Sequence, residues 1–144
     1  MRLSLPQPWE DLEHTADVGL RVRGATAEEA LGRLALVFST LATGGGHAER
    51  LGEAELRVAG GPGLAGTAVA LLRELLFRLA TAHEVPVEIE VLSVGEEGAL
   101  AAVTFGRYDP ERHAEGTDVK AVTRHAARLE REGDGWVAQV ILDV

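Results

Sequence analysis

Apolar and polar residues alternate along the chain with two different periods, which predict separate strands and helices. Apolar residues spaced three and four apart predict one helix that begins after Thr26 and a second helix over residues 67–83. Alternation and extended runs predict five strands, near residues 18–22, 53–58, 85–91, 100–105 and 119–130. Residues 136–144 are apolar at almost every position and predict a sixth strand, central and covered on both faces. The predicted order of elements is therefore β-α-β-α-β-β-β-β.

This order indicates the fold class. The later strands are joined by short turns at residues 95–98 and 133–135, which is typical of antiparallel hairpins. Two amphipathic helices suffice to cover one face of one sheet. We therefore expect a two-layer α+β fold, with one mostly antiparallel or mixed sheet and both helices packed on one face. The length of 144 residues predicts a single domain over residues 1–144.

Composition narrows the possible functions. The net charge of −9 and the pI near 5.0 argue against a protein that follows nucleic-acid phosphates. Cysteine is absent, which excludes disulfides, zinc–thiolate sites and thiol nucleophiles. Residues 1–9 lack the apolar stretch of a signal peptide, and we see no apolar run of the roughly 18 residues that a membrane span needs. We expect a cytoplasmic protein.

Carboxylates at two distant places in the chain are the first candidates for chemistry. Asp17 stands where the chain enters the first predicted strand, Asp143 is the penultimate residue, and Val144 carries an α-carboxylate. If the first and last strands are neighbours, these oxygens converge and repel one another unless a cation neutralises them. Ca²⁺ and Mg²⁺ prefer such ligands. The simpler interpretation is that Asp17 caps a turn and Asp143 is a solvated strand end.

Histidines offer an alternative metal site. His14, His113 and His125 are possible zinc ligands, although no paired spacing such as HExxH supports them. His125 shares the strand parity of Ala121 and Thr123, so we expect it to be a hydrogen-bonded core residue instead. The sequence has neither the GxSxG motif of a serine nucleophile nor a P-loop.

Two further features concern possible partner surfaces. Phe77 points away from the leucine stripe of the second helix and lies among its charged residues. Lys120 is the only lysine, and with Arg124 and Arg128 it predicts a small basic row on one face of a strand. Such a row binds an anion or an acidic patch, or is simply the solvated face of a sheet.

Five segments, in order, carry a resemblance to a known family. They are residues 12–19 (LEHTADVG), 26–30 (TAEEA), 74–77 (ELLF), 109–113 with 117–125 (DPERH and TDVKAVTRH), and 135–136 with 140–144 (GW and VILDV). Together they resemble the archease family, whose members assist the RtcB-type tRNA-splicing ligase. The resemblance also implies a two-layer α+β fold.

The resemblance implies a non-catalytic activator. Its partner would be the RtcB-type ligase, whose guanylylation by GTP and multiple turnover it would promote in tRNA splicing and RNA repair. That ligase joins a 2′,3′-cyclic phosphate or 3′-phosphate end to a 5′-hydroxyl end. Neither nucleic acid nor a membrane is expected as a direct partner. Two other functions stay open: a chaperone-like binding module anchored by Phe77, and a metal-dependent hydrolase with His14 as its base.

The resemblance also assigns site residues. A divalent cation, calcium or else magnesium or manganese, would be held by Asp17, Asp143 and Val144. Lys120 occupies the family's lysine position, and His14 and Phe77 are further supporting or partner-binding candidates. The sequence departs from the family pattern in two places, at residues 69–73 (VALLR) and at Arg124, where the family has an aromatic residue.

Overall fold

The computed structural model describes residues 1–13 and 17–144, and in these ranges it has eight strands and two helices. In chain order the elements are β1 (Leu3–Ser4), β2 (Glu10–Glu13), β3 (Asp17–Gly24), α1 (Ala27–Thr43), β4 (Arg50–Ala59), α2 (Gly63–Ala82), β5 (Glu84–Gly95), β6 (Gly98–Arg107), β7 (Ala121–Glu132) and β8 (Gly135–Asp143). From β3 onward this is the predicted order. The pattern missed β1 and β2, because β1 has two residues and β2 has one apolar residue.

The α+β class is confirmed, but the expectation of one sheet was wrong. The strands form two four-stranded sheets, a first sheet in the order β1-β5-β6-β4 and a second sheet in the order β2-β3-β8-β7. Every pairing between the described strands is antiparallel. The β5–β6 hairpin pairs with the earlier strand β4, whereas the β7–β8 hairpin pairs with the earlier strand β3. Alternation shows which side of a strand is buried but does not identify the partner strand, so the split was not predictable.

Helix α1 has the ends that its sequence predicts. The Thr26 hydroxyl accepts a hydrogen bond from the Glu29 backbone N–H at 3.1 Å, and the Glu29 carboxylate accepts one from the Ala25 N–H at 3.2 Å. Gly44 ends the helix with φ 70°, the left-handed conformation that glycine adopts without strain. A cap of this kind contributes about 1 kcal/mol.

Both helices contact strands of both sheets, so the two sheets share one core. Helix α1 packs against β3, β5 and β8, and α2 packs against β4, β5 and β7. Leu20 and Val140 from the second sheet lie in the same buried cluster as Ile89 and Val103 from the first. Strand β8, predicted to be central, has a partner on each side and is buried on both faces from Val137 to Leu142. Neither helix of the described chain has the length and apolar character needed to cross a membrane.

A large bulge interrupts β7. Thr123 pairs with Ile141 and Arg128 with Gln139, so four residues of β7 face one residue of β8. Within the bulge Ala126 has φ 54°, and its carbonyl accepts a hydrogen bond from the Gln139 side-chain amide at 2.8 Å. The bulge changes the parity of β7, since the residues before and after it alternate out of phase.

The bulge corrects two expectations. His125 lies in it and is exposed, so it is not a core histidine. The basic row is also broken, because Arg128 falls on the same side as Thr123 rather than in line with Lys120 and Arg124. Its guanidinium instead contacts Glu130 and Glu132, at 2.6 Å and 2.8 Å.

Candidate metal site

The structure brings Asp17 and Asp143 together. Strand β3 begins at Asp17, β8 ends at Asp143, and the two residues are direct partners in the antiparallel register. Side chains of directly opposed residues lie on the same side of a sheet, with their Cβ atoms about 4.5–5.5 Å apart. The two carboxylates are therefore neighbours at one end of the second sheet.

This pair faces solvent. Leu20 and Leu142, which have the opposite parity on the same two strands, are fully buried in the core. Because side chains alternate along a strand, Asp17 and Asp143 project from the face that points away from the helices. Asp17 is half-buried and Asp143 is exposed. An ion from solution can therefore reach both.

The chemistry of the pair fits a hard divalent cation. Neither carboxylate forms a salt bridge or a side-chain hydrogen bond with any other residue that the structure describes. Two charged carboxylates at this separation repel each other, and a cation between them removes the repulsion. Ca²⁺ takes about six to eight oxygen ligands, so the pair supplies part of a shell. Outside residues 14–16, no group of three or more His, Asp or Glu side chains that could hold an ion occurs.

Lys120 and Val144 lie beside this pair. The Lys120 backbone N–H donates a hydrogen bond to the Asp143 carbonyl at 2.8 Å, and Ala121 is the β7 partner of Asp143. The Lys120 side chain is exposed and makes no salt bridge with a described carboxylate. Val144 follows Asp143 and packs partly against the core. The end of β8 is thus held on both sides, by β3 and by the start of β7.

Two further predicted site residues remain, His14 and Phe77. His14 lies outside the described residues. Phe77 lies on α2, with its side chain 61% exposed, and lines a separate cleft together with Arg73 and Arg124.

The zinc alternative gains no support from His113. This histidine is 1% exposed; its Nδ1 accepts the Asp109 backbone N–H at 2.9 Å, and its Nε2 donates to the His47 carbonyl at 2.9 Å. In these contacts Nδ1 is the acceptor and Nε2 is the donor. The ring also stacks on Tyr108, with centroids 5.5 Å apart. His113 therefore ties the loop after β6 to the segment before β4, and both of its nitrogens are occupied.

The fold and the site define a small α+β protein in which two paired strands end in facing carboxylates. Residues 9–144 match the archease protein family. The archease of Methanopyrus kandleri is 35% identical over 144 residues, which cover 95% of this chain and 99% of that relative. The archease of Pyrococcus furiosus is 34% identical over 140 residues, covering 94% and 98%.

A solved structure agrees. The solution structure of Methanobacterium thermoautotrophicum protein 1598 is similar with a TM-score of 0.70 and 26% identity, covering 94% of this chain and 98% of that one. The chain belongs to the archease family, and the resemblance found in its five sequence segments is confirmed.

Proposed function

We propose that this protein is a non-catalytic activator of an RtcB-type tRNA-splicing ligase, promoting guanylylation of the ligase by GTP and its multiple turnover. Family membership supports the general assignment. The observation that supports a particular functional site is the direct opposition of Asp17 and Asp143 at the solvent-facing end of the second sheet.

The proposed site holds a divalent cation through Asp17, Asp143 and the Val144 carboxyl group. Calcium is the first candidate, with magnesium or manganese as alternatives, because the ligands are all hard oxygens. A bound cation would supply positive charge between two carboxylates that form no salt bridge with a described residue. The protein's own contribution is to hold the two aspartates at fixed positions and to leave one side of them open to a partner.

The backbone around the site is suited to that role. Asp143 is hydrogen-bonded between β3 and the start of β7, where Lys120 donates to its carbonyl at 2.8 Å. Ligands held on paired strands stay closer to a productive geometry than ligands on loops. The Lys120 side chain is free to contact an anionic group of the ligase or of its nucleotide.

The test is a reconstituted ligation reaction. Purified protein is added to an RtcB-type ligase with GTP and cleaved tRNA halves, and both ligation turnover and the guanylylated fraction of the ligase are measured. The double variant Asp17→Asn/Asp143→Asn keeps the side-chain shape and removes the charge, and we expect it to lose the stimulation. Asp134→Asn, exposed in the turn at the other end of β8, is the matched control. Equal stimulation by the double variant would refute the proposed site.

A chaperone-like module is a second candidate, favoured by the exposure of Phe77 on α2. If it applies, the protein protects unrelated clients from aggregation, Phe77→Ser reduces that protection and Asp143→Asn does not. The metal-dependent hydrolase gains no support, since its proposed base, His14, lies outside the described residues.

A further inference from the structure

A second surface, separate from the aspartate pair, contains an unusual concentration of arginine. A cleft of about 500 Å³ lies against α2, between β4 at the edge of the first sheet and β7 at the edge of the second. Its lining includes Arg57 from β4, Arg73 and Phe77 from α2, and Arg124 from the β7 bulge, with Glu74 as the acidic member. We call this surface the arginine cleft.

The three arginines of this cleft form no salt bridge with a described residue, unlike seven of the other arginines in the chain. Arg57, Arg73 and Arg124 are exposed, and none has a carboxylate of a described residue within 4.0 Å. Seven arginines elsewhere form salt bridges, namely Arg2, Arg21, Arg23, Arg33, Arg50, Arg78 and Arg128. In a chain with a net charge of −9, three neighbouring uncompensated cations form a local positive surface.

Phe77 adds an apolar element to this positive surface. Its ring is 61% exposed, on the side of α2 opposite to the buried Leu72 and Leu75. Aromatic and arginine side chains together are the residue types that most often dominate binding at protein interfaces. The cleft therefore combines charge selection with a place for an apolar side chain.

The cleft also borders a free strand edge. Strand β4 pairs only with β6, so among the described strands its other edge has no partner along Arg57–Ala59, where it lines the cleft. Such an edge presents backbone N–H and C=O groups that an extended segment can pair with. A peptide in extended conformation thus has backbone, charged and apolar contacts available in one place.

We propose that the arginine cleft binds an extended acidic segment of a partner protein. Carboxylates of that segment pair with the guanidinium groups of Arg57, Arg73 and Arg124, which match carboxylates in a two-point geometry. An apolar side chain of the segment covers Phe77. The chain's negative net charge and Glu74 disfavour a nucleic acid, which carries a charge on every phosphate, and they also disfavour a second copy of this acidic chain.

The proposal is independent of ligase activation and is tested by direct binding. Fluorescence anisotropy is measured with a labelled dodecapeptide of three Asp-Asp-Leu-Leu repeats, which presents both residue types on each face of an extended chain, and with matched peptides in which Asn replaces Asp or Ser replaces Leu. A labelled oligothymidylate reports on phosphate binding. We expect the Asp–Leu peptide to bind with an affinity about tenfold or more above that of the Asn–Leu peptide, because charge-assisted hydrogen bonds are lost in the latter.

The variants separate the cleft from general charge effects. Arg57→Glu/Arg124→Glu changes two side chains that make no hydrogen bond or salt bridge to a described residue, whereas Arg73 is left intact because its Nε donates to the Val122 carbonyl at 3.0 Å. Arg107→Glu/Arg112→Glu changes two exposed arginines outside the cleft by the same charge and is the control. We expect a loss of about tenfold or more in the first variant and less than about twofold in the second.

Phe77→Ser should weaken binding of the Asp–Leu peptide and leave the affinity for the Asp–Ser peptide unchanged. If the double glutamate variant does not fold, judged by circular dichroism, Arg57→Gln/Arg124→Gln replaces it. The proposal is overturned if the Asn–Leu peptide binds equally well, if the control variant loses as much affinity, or if the oligonucleotide binds more tightly than the peptide. It is also overturned if sedimentation shows self-association that the cleft variant abolishes.

Discussion

Asp17 and Asp143 are direct cross-strand partners, although 125 residues separate them in the sequence. One opens β3 and the other closes β8, so their opposition follows from antiparallel pairing of these two strands. Neither carboxylate forms a salt bridge with a described residue. A like-charged pair directly opposed on a sheet destabilises the fold unless something neutralises it.

The first prediction follows from that repulsion. Without metal, Asp143→Asn should raise the free energy of unfolding by about 0.2–1 kcal/mol, because it removes the unfavourable pair. With Ca²⁺ in excess the order should reverse, since a cation that binds only the folded state stabilises the wild type by mass action. Thermal unfolding in EDTA and in millimolar Ca²⁺ measures both effects, with Asp134→Asn as control. The metal proposal fails if Ca²⁺ raises the melting temperatures of wild type and variant equally.

The second prediction concerns the strand that flanks the site. A Cβ atom built on Gly19 would lie 2.6 Å from the Leu12 Cβ and 2.8 Å from the Leu12 carbonyl oxygen, so β2 approaches β3 closely at this point. Gly19→Ala should displace β2 and cost about 1–3 kcal/mol, as overpacking does elsewhere. Gly52→Ala, in β4, meets no atom within 4 Å and is the control. Urea denaturation measures both, and equal stabilities would contradict the close approach.

Local signals were sufficient for some parts of this fold. Helix α1 was predictable at both ends because Thr26 and Glu29 form a side-chain cap and Gly44 has the required left-handed conformation. The aspartate pair was also accessible from sequence, because Asp17 and Asp143 stand at the ends of two recognisable strands. Predicting the pair required one assumption, that the first and last predicted strands are neighbours. The structure bears out this assumption.

Other parts of the fold depend on long-range contacts, which the spacing of apolar residues along the chain does not predict. The β7 bulge has no glycine at its left-handed position, which is Ala126, so it gave no turn signal. The arginine cleft assembles Arg57, Arg73 and Arg124 from three elements, and only the split into two sheets places both sheet edges beside α2. That split is a choice of strand partners, and alternation along one strand contains no information on it.

The third prediction concerns an ion-pair cluster on the first sheet. Arg50 contacts Glu88 at 2.7 Å, and Arg2 contacts it at 3.4 Å. The hydrogen bond from Arg50, followed by its charge, holds the pKa of the Glu88 carboxyl below its usual value of 4.5, against an opposing effect of burial. A carboxyl with a lowered folded-state pKa stabilises the fold above its unfolded-state pKa, and the contribution is lost as the pH falls through the folded-state value.

Glu88→Gln should therefore lower the melting temperature at pH 7, and its difference from wild type should shrink as the pH is lowered below 4.5. Glu55→Gln, an exposed β4 residue with no salt bridge to a described residue, is the control and should show no such pH-dependent difference. Differential scanning calorimetry between pH 3 and pH 7 measures the effect. A difference that stays constant across this range would show that the Glu88 cluster does not contribute through its charge.

The fourth prediction tests the buried histidine. His113 accepts a hydrogen bond from the Asp109 N–H and donates one to the His47 carbonyl, both at 2.9 Å. His113→Phe keeps an aromatic ring beside Tyr108 but removes the partner of two part-buried hydrogen bonds, at a cost of about 1–3 kcal/mol. His125→Phe, on an exposed ring in the β7 bulge, should change stability by less than about 0.5 kcal/mol. Urea denaturation compares the two variants with the wild type. Equal costs for both variants would contradict the loop-tethering role.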